Sequence, residues 1–501
     1  MRRAAILAVL VAGLLPVPAA TAAQGGPSAA APQSPLSHVG RWVTDRSGRV
    51  VILHGLNMVN KRPPYQPGAV GFNGPDADFL RRYGFNTVRL GLIYKAVEPQ
   101  PGRYAAGYLR KERSIERLLA KRGIYSLVDF HQDLYNEKFG GEGWPDWAVL
   151  DDGQPADPLT GFPASYITSP GLNRAFDNFW ANKGGPGSVP LQTRYAGAWA
   201  RVASVFRSDP GVLGYDLLNE PWPGSTWMTC ANTAGCPAFD SGSLQPFYER
   251  VIPRIRSADK QSLVFYEPQV LFNFGSDTNI GRIAARNLGF SFHVYCLAGL
   301  VAGGPSGCDD LEELSLDNAD AHAKATDTAL MLSEFGATDD IATLTRLANA
   351  ADRHMISWQE WHYCGCDDPT TQASTGDVQA VVKDPRKPPR GKNVFHDKLR
   401  ALSRPYPQAI AGTPHGFSFD PDSRRFQLLY STRRASGHGS FRRGLTDVFI
   451  PRVQYRRGYC ARVKGATVRQ RTIGTQHLVL RALPKAKRVQ LVVIPAPGPT
   501  C

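Results

Sequence analysis

The stretch LGYDLLNEP at residues 213–221 is an apolar run that ends in an amide, a carboxylate and a proline. Seven other runs have the same pattern. Each is short and rich in β-branched or aromatic residues, and the connection that follows it is long enough for a helix. Together with residues 213–219, the predicted strands are residues 50–56, 86–92, 125–130, 263–267, 290–295, 329–334 and 356–361. Polar and acidic residues fall at the carboxyl ends of these runs. Eight such units predict an α/β fold, the (β/α)8 TIM barrel, in which that end carries the chemistry.

The pattern of the chain changes after Arg404. Residues 39–404 form the predicted barrel domain, which closes with a charged, Pro-rich loop at 383–392 and a helix near 394–402. Short alternating runs bounded by Gly, Pro and Asp follow at residues 415–419, 425–430, 447–450, 477–480 and 488–494. This pattern predicts a small antiparallel β-sandwich over residues 405–501.

The N-terminus predicts export. Residues 1–23 have two arginines, a short apolar run and a small-residue cleavage site, which is typical of a signal peptide. Residues 24–38 are rich in Gly, Pro, Ala and Ser and are expected to be a flexible leader. We therefore expect a secreted, extracellular protein.

An exported chain can form disulfides, and the even number of 8 cysteines fits full pairing. Eight cysteines allow on the order of 100 pairings. Proximity in sequence favours Cys230–Cys236, Cys296–Cys308, Cys364–Cys366 and Cys460–Cys501, with a swap among the middle four as an open alternative. No CxxC pair occurs, which argues against a zinc site.

Composition and charge narrow the function classes. Hydrophobic residues make up 42% and charged residues 20% of the chain, which excludes wholesale disorder and a fibrous repeat. Of the net charge of +15, nearly all lies after Arg404, where 14 arginines and 3 lysines face 3 aspartates. A basic surface attracts anionic lipid, nucleic acid or an acidic cell wall. No nucleic-acid motif is present, so we expect no nucleic-acid partner, and peripheral contact with an anionic membrane is the alternative to a merely solvated surface.

Two carboxylates lie at the ends of the fourth and seventh predicted strands. Glu220 is the carboxylate of the stretch at residues 213–221, and Glu334 lies in MLSEFG at residues 331–336. Strand ends four and seven face each other across the mouth of such a barrel. This is the layout of a retaining glycosidase, in which one carboxylate attacks the anomeric carbon and the other protonates the leaving oxygen, the pair being about 5–5.5 Å apart.

The motifs in their order resemble glycoside hydrolase family 5, and within it the endoglycoceramidases. The matching pieces are HGLN at 54–57, NKR at 60–62, VRLG at 88–91, DFHQD at 129–133, NEP at 219–221, HVY at 293–295, SEFG at 333–336, the Trp361 strand, LSRPYP at 402–407 and AGT at 411–413. The resemblance covers residues 39 to the C-terminus.

The resemblance implies roles for several of the matching residues. Glu220 would be the general acid/base, which must start protonated, and Glu334 the nucleophile, which must stay ionised. Arg89 would stabilise the ionised Glu334, Tyr295 would orient it, and Asn219 would bind the sugar 2-hydroxyl.

Further residues that contact the sugar or line the site are implied in or just beyond strands one, three, six and eight. These are Lys61, His131, Asp133, His293 and Trp361, each weighed against a purely structural role. Strand register decides whether Trp361 or Trp358 faces the sugar. Glu267 is a third carboxylate at a strand end, expected to support the pair rather than react. Trp144 and Trp147 either form part of a wall for the aglycone or pack their own loop.

The resemblance implies a glycosphingolipid substrate, cleaved between the oligosaccharide and ceramide. The lipid would need an apolar groove, for which the long loops at 144–188 and 222–246 offer Trp222, Trp227, Met228 and Phe239. Alternatives are a β-glucanase or β-mannanase, an enzyme that removes a single glucose or galactose from ceramide, and a carbohydrate-binding protein without activity. Two carboxylates suffice for retaining chemistry, so no cofactor, metal or protein partner is implied.

Overall fold

The structure is a computed structural model that describes residues 30–296, 308–366, 368, 370, 379–472 and 476–496. The predicted signal peptide and the first part of the predicted leader lie outside these residues. The strands in chain order are β1 Ser37–Val39, β2 Trp42–Thr44, β3 Val50–Val51, β4 His54–Met58, β5 Thr87–Ile93, β6 Tyr125–His131, β7 Val212–Asp216, β8 Leu263–Tyr266, β9 Leu288–Val294, β10 Ala329–Phe335, β11 Ser357–Glu360, β12 Tyr406–Ile410, β13 Thr413–Asp420, β14 Arg425–Ser431, β15 Leu445–Phe449, β16 Tyr459–Lys464, β17 Ala466–Thr472, β18 His477–Ala482 and β19 Arg488–Pro495.

Helices fill the connections between the strands. The α-helices in the described ranges are α1 Gly74–Arg82, α2 Tyr94–Val97, α3 Ala106–Ala120, α4 Ser165–Thr168, α5 Pro170–Trp180, α6 Leu191–Phe206, α7 Pro237–Phe239, α8 Gln245–Ala258, α9 Asp309–Thr326, α10 Ile341–Arg353 and α11 His396–Leu402. A π-helical turn, Asp240–Leu244, leads into α8, and short 3-10 helices lie at Pro67–Val70, Glu137–Phe139, Asp146–Ala148, Pro186–Ser188, Gly224–Cys230, Val270–Phe274 and Gly391–Asn393.

Eight strands of the described chain close into a parallel barrel in the order β10-β11-β4-β5-β6-β7-β8-β9. The side chains alternate as the period of a strand requires. In β5, for example, Val88, Leu90 and Leu92 pack outward into the large core beneath the helices, whereas Arg89 lies inside the barrel. The predicted (β/α)8 fold is confirmed, and seven predicted strands match the observed ones closely. The predicted strand at 50–56 is instead split between β3 and β4.

The N-terminal segment closes the amino end of the barrel. Leu36, Val43 and Leu53 form one buried cluster with barrel residues that include Leu127 and Met331. The Oγ of Ser34 also donates a hydrogen bond to Pro210 O at 2.5 Å. Residues 30–38 were predicted to be part of a flexible leader, but they pack against the barrel. The reason is that the apolar side chain of Leu36 joins the buried cluster, which the Gly-, Pro-, Ala- and Ser-rich composition of the segment does not indicate.

The C-terminal strands form two antiparallel sheets, as predicted, but one sheet draws on both ends of the chain. It has the order β1-β2-β3-β12-β15-β18-β17, and the second sheet has the order β13-β14-β19-β16. A core of alternating apolar residues, including Phe426, Leu428, Leu480 and Leu491, lies between them. The sequence pattern predicted no strand for β1, β2, β12, β16 or β17.

The sandwich packs against the amino end of the barrel, opposite the mouth. Tyr406 Oη donates to Gly84 O at 2.6 Å, just before β5, and its ring stacks on His54, the first residue of β4. Arg404 Nε pairs with Asp352 Oδ2 at 2.8 Å, just before β11. A Cβ at Gly84 would lie 2.1 Å from the ring of Phe449, so this contact requires glycine.

Three disulfides lie in the described residues, and each joins neighbours in the sequence. They are Cys230–Cys236, Cys296–Cys308 and Cys364–Cys366, as proximity predicts. Cys501, the predicted partner of Cys460, lies outside the described residues. None of the helices in the described ranges combines the length and the apolar composition that crossing a membrane requires.

The packing of the N-terminal segment can be tested with Leu36→Ala. Because Leu36 is only 3% exposed, the change should lower the free energy of unfolding by about 2–5 kcal/mol in a denaturant titration. Leu483→Ala, at an exposed position, serves as the control and should change it by about 0.5 kcal/mol at most. An unchanged stability of Leu36→Ala would show that this segment does not close the barrel.

Candidate active site

The carboxylates of Glu220 and Glu334 meet at the carboxyl end of the barrel. Glu220 follows β7, and Glu334 lies in β10. One oxygen of each carboxylate and a ring nitrogen of His293 all lie within 4.8 Å of one another. Inverting glycosidases hold their carboxyls about 6.5–9.5 Å apart to admit a water, whereas retaining enzymes hold them about 5–5.5 Å apart. The observed separation therefore suits direct attack by one of the two.

A β-bulge turns Glu334 toward the mouth. Strict alternation along β10 would put Met331 and Ser333 inside the barrel and Glu334 among the helices. The pairing of β10 with β9 shifts between Leu332 and Glu334, so that Glu334 aligns with His293. A bulge re-aims the side chains that follow it. Glu334 consequently shares the inner face with His293, while Phe335 packs outward.

Glu220 is held in an unusual backbone conformation. Its φ is +44°, in the left-handed region that non-glycine residues rarely adopt. Its backbone N–H donates to Glu267 Oε2 at 2.9 Å, and its carbonyl accepts from Gln132 Nε2 at 3.2 Å. Its side-chain Oε1 accepts from Asn273 Nδ2 at 2.6 Å and contacts His293 Nδ1 at 2.8 Å. With Oε1 so engaged, the carboxyl proton belongs on Oε2.

Arg89 lies at the centre of the site and is fully buried. Its guanidinium spans the inside of the barrel and contacts acids from four other strands or strand ends. The partners are Glu334 Oε1 at 2.5 Å, Glu267 Oε1 at 2.8 Å, Asp216 Oδ2 at 3.0 Å and Asp129 Oδ1 at 3.1 Å. Burial alone would lower the pKa of Arg89, but these charges together hold it well above its ordinary value. Arg89 is thus a permanent cation.

Two neutral groups complete the surroundings of Glu334 and Glu220. Tyr295 Oη donates to Glu334 Oε2 at 2.8 Å. Asn219 Oδ1 accepts from Arg89 Nη2 at 3.0 Å, and Asn219 Nδ2 donates to Gln132 O at 2.9 Å. The amide is therefore fixed in orientation, and its second N–H is left to contact a bound sugar.

The surroundings of Glu220 and Glu334 favour different protonation states for the two carboxylates. Burial raises the pKa of Glu220, and the negative charge of Glu334 adds to this effect, while His293 opposes it. Burial alone would lower the pKa of His293, but Glu267 and Glu334 hold it well above its ordinary value. Glu334 meanwhile receives an ion pair from Arg89 and a hydrogen bond from Tyr295. One acid is thus favoured in its neutral form and the other is paired with a fixed cation.

A second polar cluster lies beside the first. Lys61 Nζ contacts Asp133, lies 3.3 Å from Asp368 Oδ2 and donates to Thr370 Oγ1 at 2.9 Å. The same nitrogen lies 4.5 Å from the ring centre of Trp361.

His131 joins the two clusters. Its Nδ1 contacts Asp129 Oδ2 at 2.9 Å, and Asp129 also touches Arg89. Its ring stacks on Trp361 at 5.2 Å. The structure thus brings all ten predicted site residues together at one mouth.

The register of β11 separates the two candidate tryptophans. Gln359 Nε2 donates a hydrogen bond to Thr87 Oγ1 inside the barrel, and Trp361, two residues further on, lies on the same face of the strand. Trp358 points the opposite way, stacking on His54 at 4.0 Å and donating to Asp352. Trp361 is therefore the one next to the polar cluster.

Aromatic residues that follow Glu220 in the chain pack together as an aromatic wall. Trp222 follows Pro221 directly, stacks on Trp227 at 5.7 Å and lies 5.0 Å from the ring of Tyr166. Trp144, which is buried like Trp222, stacks on Tyr135 at 4.2 Å, and Trp147 donates to Glu98 O. Both tryptophans also contact residues outside their loop, Tyr195 for Trp144 and Tyr94 for Trp147, which favours the packing role among the two that the sequence left open.

Two groups of acids and histidines could in principle chelate a metal. They are Glu220 with His293 and Glu334, and His131 with Asp133 and Glu142. In the first group His293 Nδ1 faces Glu220, and in the second the Lys61 ammonium already supplies a cation to Asp133. The donor atoms of both groups are thus engaged with one another.

Comparisons with known proteins place this site in a family. Residues 73–367, more than half of the chain, match the model described as cellulase (glycosyl hydrolase family 5), and residues 404–494 match the glycoside hydrolase family 5 C-terminal domain. The chain belongs to glycoside hydrolase family 5. The sequence-based identification is confirmed.

Within family 5 the similar proteins are endoglycoceramidases. Endoglycoceramidase I of Rhodococcus hoagii is 31% identical over 88% of this chain and 84% of its own length, and endoglycoceramidase of Hydra vulgaris is 28% identical over 83% and 80%. The structure of endo-glycoceramidase II from Rhodococcus sp. in its ganglioside GM3 complex aligns with a TM-score of 0.71 at 27% identity. The alignment covers 91% of this chain and 99% of the chain of endo-glycoceramidase II.

Sequence reasoning missed three supporting residues of the family 5 site. Asn273 lies well past the end of β8 in the helix Val270–Phe274, where no pattern marks it. Asp129 and Asp216 lie within buried strands, and an acid in an apolar run was the signal that could have revealed them. Glu267, expected to support the pair, does so by contacting Arg89, the backbone of Glu220 and His293.

The coupling between the two carboxylates can be measured. Glu334→Gln removes a negative charge beside Glu220, so the pKa of Glu220 should fall, as followed by carbon NMR titration of the labelled carboxyl. Glu249→Gln, on the exposed surface of α8, removes the same charge far from the site and should leave that pKa unchanged. An equal pKa in all three proteins would contradict the coupling.

Proposed function

We propose that this chain is a retaining endo-glycosidase that cleaves the β-glycosidic bond between the oligosaccharide and the ceramide of glycosphingolipids. The separation of Glu220 and Glu334 is the observation that carries the retaining mechanism. The substrate class is supported by the similar endoglycoceramidases and by the contrast between a polar cluster and an aromatic wall on the two sides of these carboxylates.

In the first step Glu334 attacks the anomeric carbon. Arg89 and Tyr295 hold its two oxygens, which fixes the direction of attack. Glu220 gives its proton to the glycosidic oxygen, so that ceramide leaves as a neutral alcohol. His293 and Asn273 hold Oε1 of Glu220, which presents Oε2 to the leaving group. A lactosyl-enzyme intermediate of endo-glycoceramidase II from Rhodococcus sp. supports a covalent intermediate here.

In the second step Glu220 acts as a base. Formation of the glycosyl ester removes the negative charge of Glu334, so the pKa of Glu220 falls and its carboxylate can take a proton from water. The water attacks the anomeric carbon from the face that ceramide has left. Two inversions give net retention and restore the ionised Glu334.

The sugar is held by the polar cluster. Asn219 has one N–H left for the 2-hydroxyl, a contact that strengthens in the transition state. Lys61, His131 and Asp133 supply charged partners for hydroxyls, and the ring of Trp361 offers a stacking surface. The Nε1–H of Trp361 has no protein partner among the described residues and can donate to the sugar.

The lipid would leave along the aromatic wall formed by Trp222 and Trp227. This wall begins two residues after Glu220, the residue that protonates the leaving group, and we assign it to the aglycone side. The uncharged surface of these rings suits the apolar part of ceramide. The ganglioside GM3 complex of endo-glycoceramidase II supports a substrate of this class.

We also propose export from the cell, which the three disulfides support because such bonds persist in oxidising compartments. Contact of the basic sandwich with an anionic membrane stays a prediction. The position of the sandwich at the amino end of the barrel would hold the mouth away from a membrane that it bound.

The function can be tested on a panel of a ganglioside, a monohexosylceramide, cellulose and mannan, with products identified by mass spectrometry. We expect intact oligosaccharide and intact ceramide from the ganglioside. Glu334→Gln should lower the rate at least about 10³-fold, since it removes the nucleophile. Glu249→Gln is the matched control and should keep full activity.

Three other outcomes would overturn the proposal. Cleavage of cellulose or mannan alone would indicate a polysaccharide hydrolase, and release of single hexoses alone would indicate a ceramide monoglycosidase. Failure to cleave any glycoside would indicate a binding protein. Full activity of Glu334→Gln would refute the assigned nucleophile.

A further inference from the structure

Two long loops at the mouth of the barrel carry no charged side chain over long stretches. The first connects β6 to α6 and the second connects β7 to α8, so both leave the carboxyl end of the barrel. Residues 158–173 and 221–239 contain no Asp, Glu, Lys, Arg or His. These two segments are called the apolar rim below. Such stretches are unexpected on the exposed surface of a protein in which 20% of residues are charged.

The apolar rim exposes large hydrophobic side chains. Leu159 is 43% exposed, Ile167 is 55% exposed and Met228 is 73% exposed. These are three of the seven exposed large hydrophobic residues in the described part of the chain, the others being Leu311, Leu429, Val468 and Leu483. Single exposed apolar side chains need no explanation, but their concentration at a site entrance marks an interaction surface.

The two halves of the rim are joined to each other and to the site. Thr168 Oγ1 is within hydrogen-bond distance of Thr160 Oγ1 and donates to Pro158 O, so the chain neighbours of Ile167 and of Leu159 are in contact. Asn173 Nδ2 donates to Tyr166 O, and its Oδ1 accepts from Trp222 Nε1 at 2.9 Å. Met228 follows Trp227 directly, and Trp227 stacks on Trp222.

Hydrogen bonds through Tyr166 fix the rim relative to Glu220. Tyr166 Oη accepts from Leu134 N at 2.9 Å and from Gln132 Nε2 at 3.4 Å. The same Gln132 nitrogen donates to the carbonyls of Asn219 and Glu220. A movement of the rim would therefore change the position of Glu220.

We propose that the apolar rim docks the enzyme onto the surface of a lipid bilayer, with Leu159, Ile167 and Met228 inserted among the lipids. This inference rests on the proposed function, because a ceramide substrate is anchored in such a surface. Docking through the rim turns the mouth toward the membrane, so that a glycolipid enters with its ceramide still beside the aromatic wall.

The chemistry of the rim predicts which bilayer it binds. A surface without cations gains nothing from anionic headgroups, so docking depends on apolar burial and is insensitive to salt. The basic sandwich would behave in the opposite way, requiring anionic lipid and losing affinity as salt rises. The two surfaces lie at opposite ends of the barrel and are therefore separable by experiment.

The test uses flotation of the full-length protein with vesicles of pure phosphatidylcholine that contain no glycolipid. We expect the wild-type protein to bind equally at about 0.05 and 0.5 M NaCl. The triple variant Leu159→Ser, Ile167→Ser, Met228→Ser should bind at least about tenfold more weakly. The triple variant Leu429→Ser, Val468→Ser, Leu483→Ser removes as many exposed apolar side chains from the sandwich and should bind like the wild type. Thermal unfolding and cleavage of a soluble aryl glycoside check that both variants are folded.

Several results would overturn the docking proposal while leaving the catalytic one intact. They are cleavage of the aryl glycoside without binding to neutral vesicles, equal binding by the two triple variants, and binding only to anionic vesicles at low salt. A dimer of the wild-type protein that the first variant loses, seen by analytical ultracentrifugation without vesicle binding, would assign the rim to a second copy of the chain. Vesicle binding without cleavage of any glycoside would instead refute the proposed catalysis.

Discussion

The buried guanidinium of Arg89 is the interaction on which the architecture of the site depends. It crosses the inside of the barrel and pairs with Asp129, Asp216, Glu267 and Glu334. Four acids from four strands could not share this enclosed space without a cation, because an unpaired buried charge costs about 3–5 kcal/mol. Arg89 thus offsets part of this negative charge and fixes the position of Glu334. Through Glu267 and Asn219 it also sets the backbone that carries Glu220.

This arrangement gives two similar side chains opposite tasks. Glu334 receives a permanent positive partner, whereas Glu220 lies in a pocket whose burial favours its neutral form. The link between them is the charge of Glu334 itself, which disappears when the glycosyl ester forms. The site needs no movement to convert an acid into a base, since the reaction changes the electrostatics. On either side of the pair, a charged cluster around Lys61 and an uncharged wall around Trp222 match the two halves of a glycolipid.

Much of the fold and most of the site could be predicted from the sequence, because strand period and strand-end chemistry are local signals. What was missed depends on contacts between distant parts of the chain. Strict alternation along β10 would point the side chain of Glu334 outward, toward the helices. The bulge in the pairing with β9 turns it to the inside of the barrel. Leu36 lies in a segment whose composition suggests a leader, yet it closes the barrel. Asn273 sits in an irregular loop without a motif, and the choice between Trp358 and Trp361 required the register of β11.

Direct attack of Glu334 on the sugar determines the anomeric configuration of the first product, which can be measured. Proton NMR during cleavage of a β-lactosyl substrate should show the β-anomer of lactose first, with the α-anomer appearing only by slow mutarotation. Initial release of the α-anomer would mean a single displacement by water. That result would contradict the mechanism built on Glu220, Glu334 and Arg89.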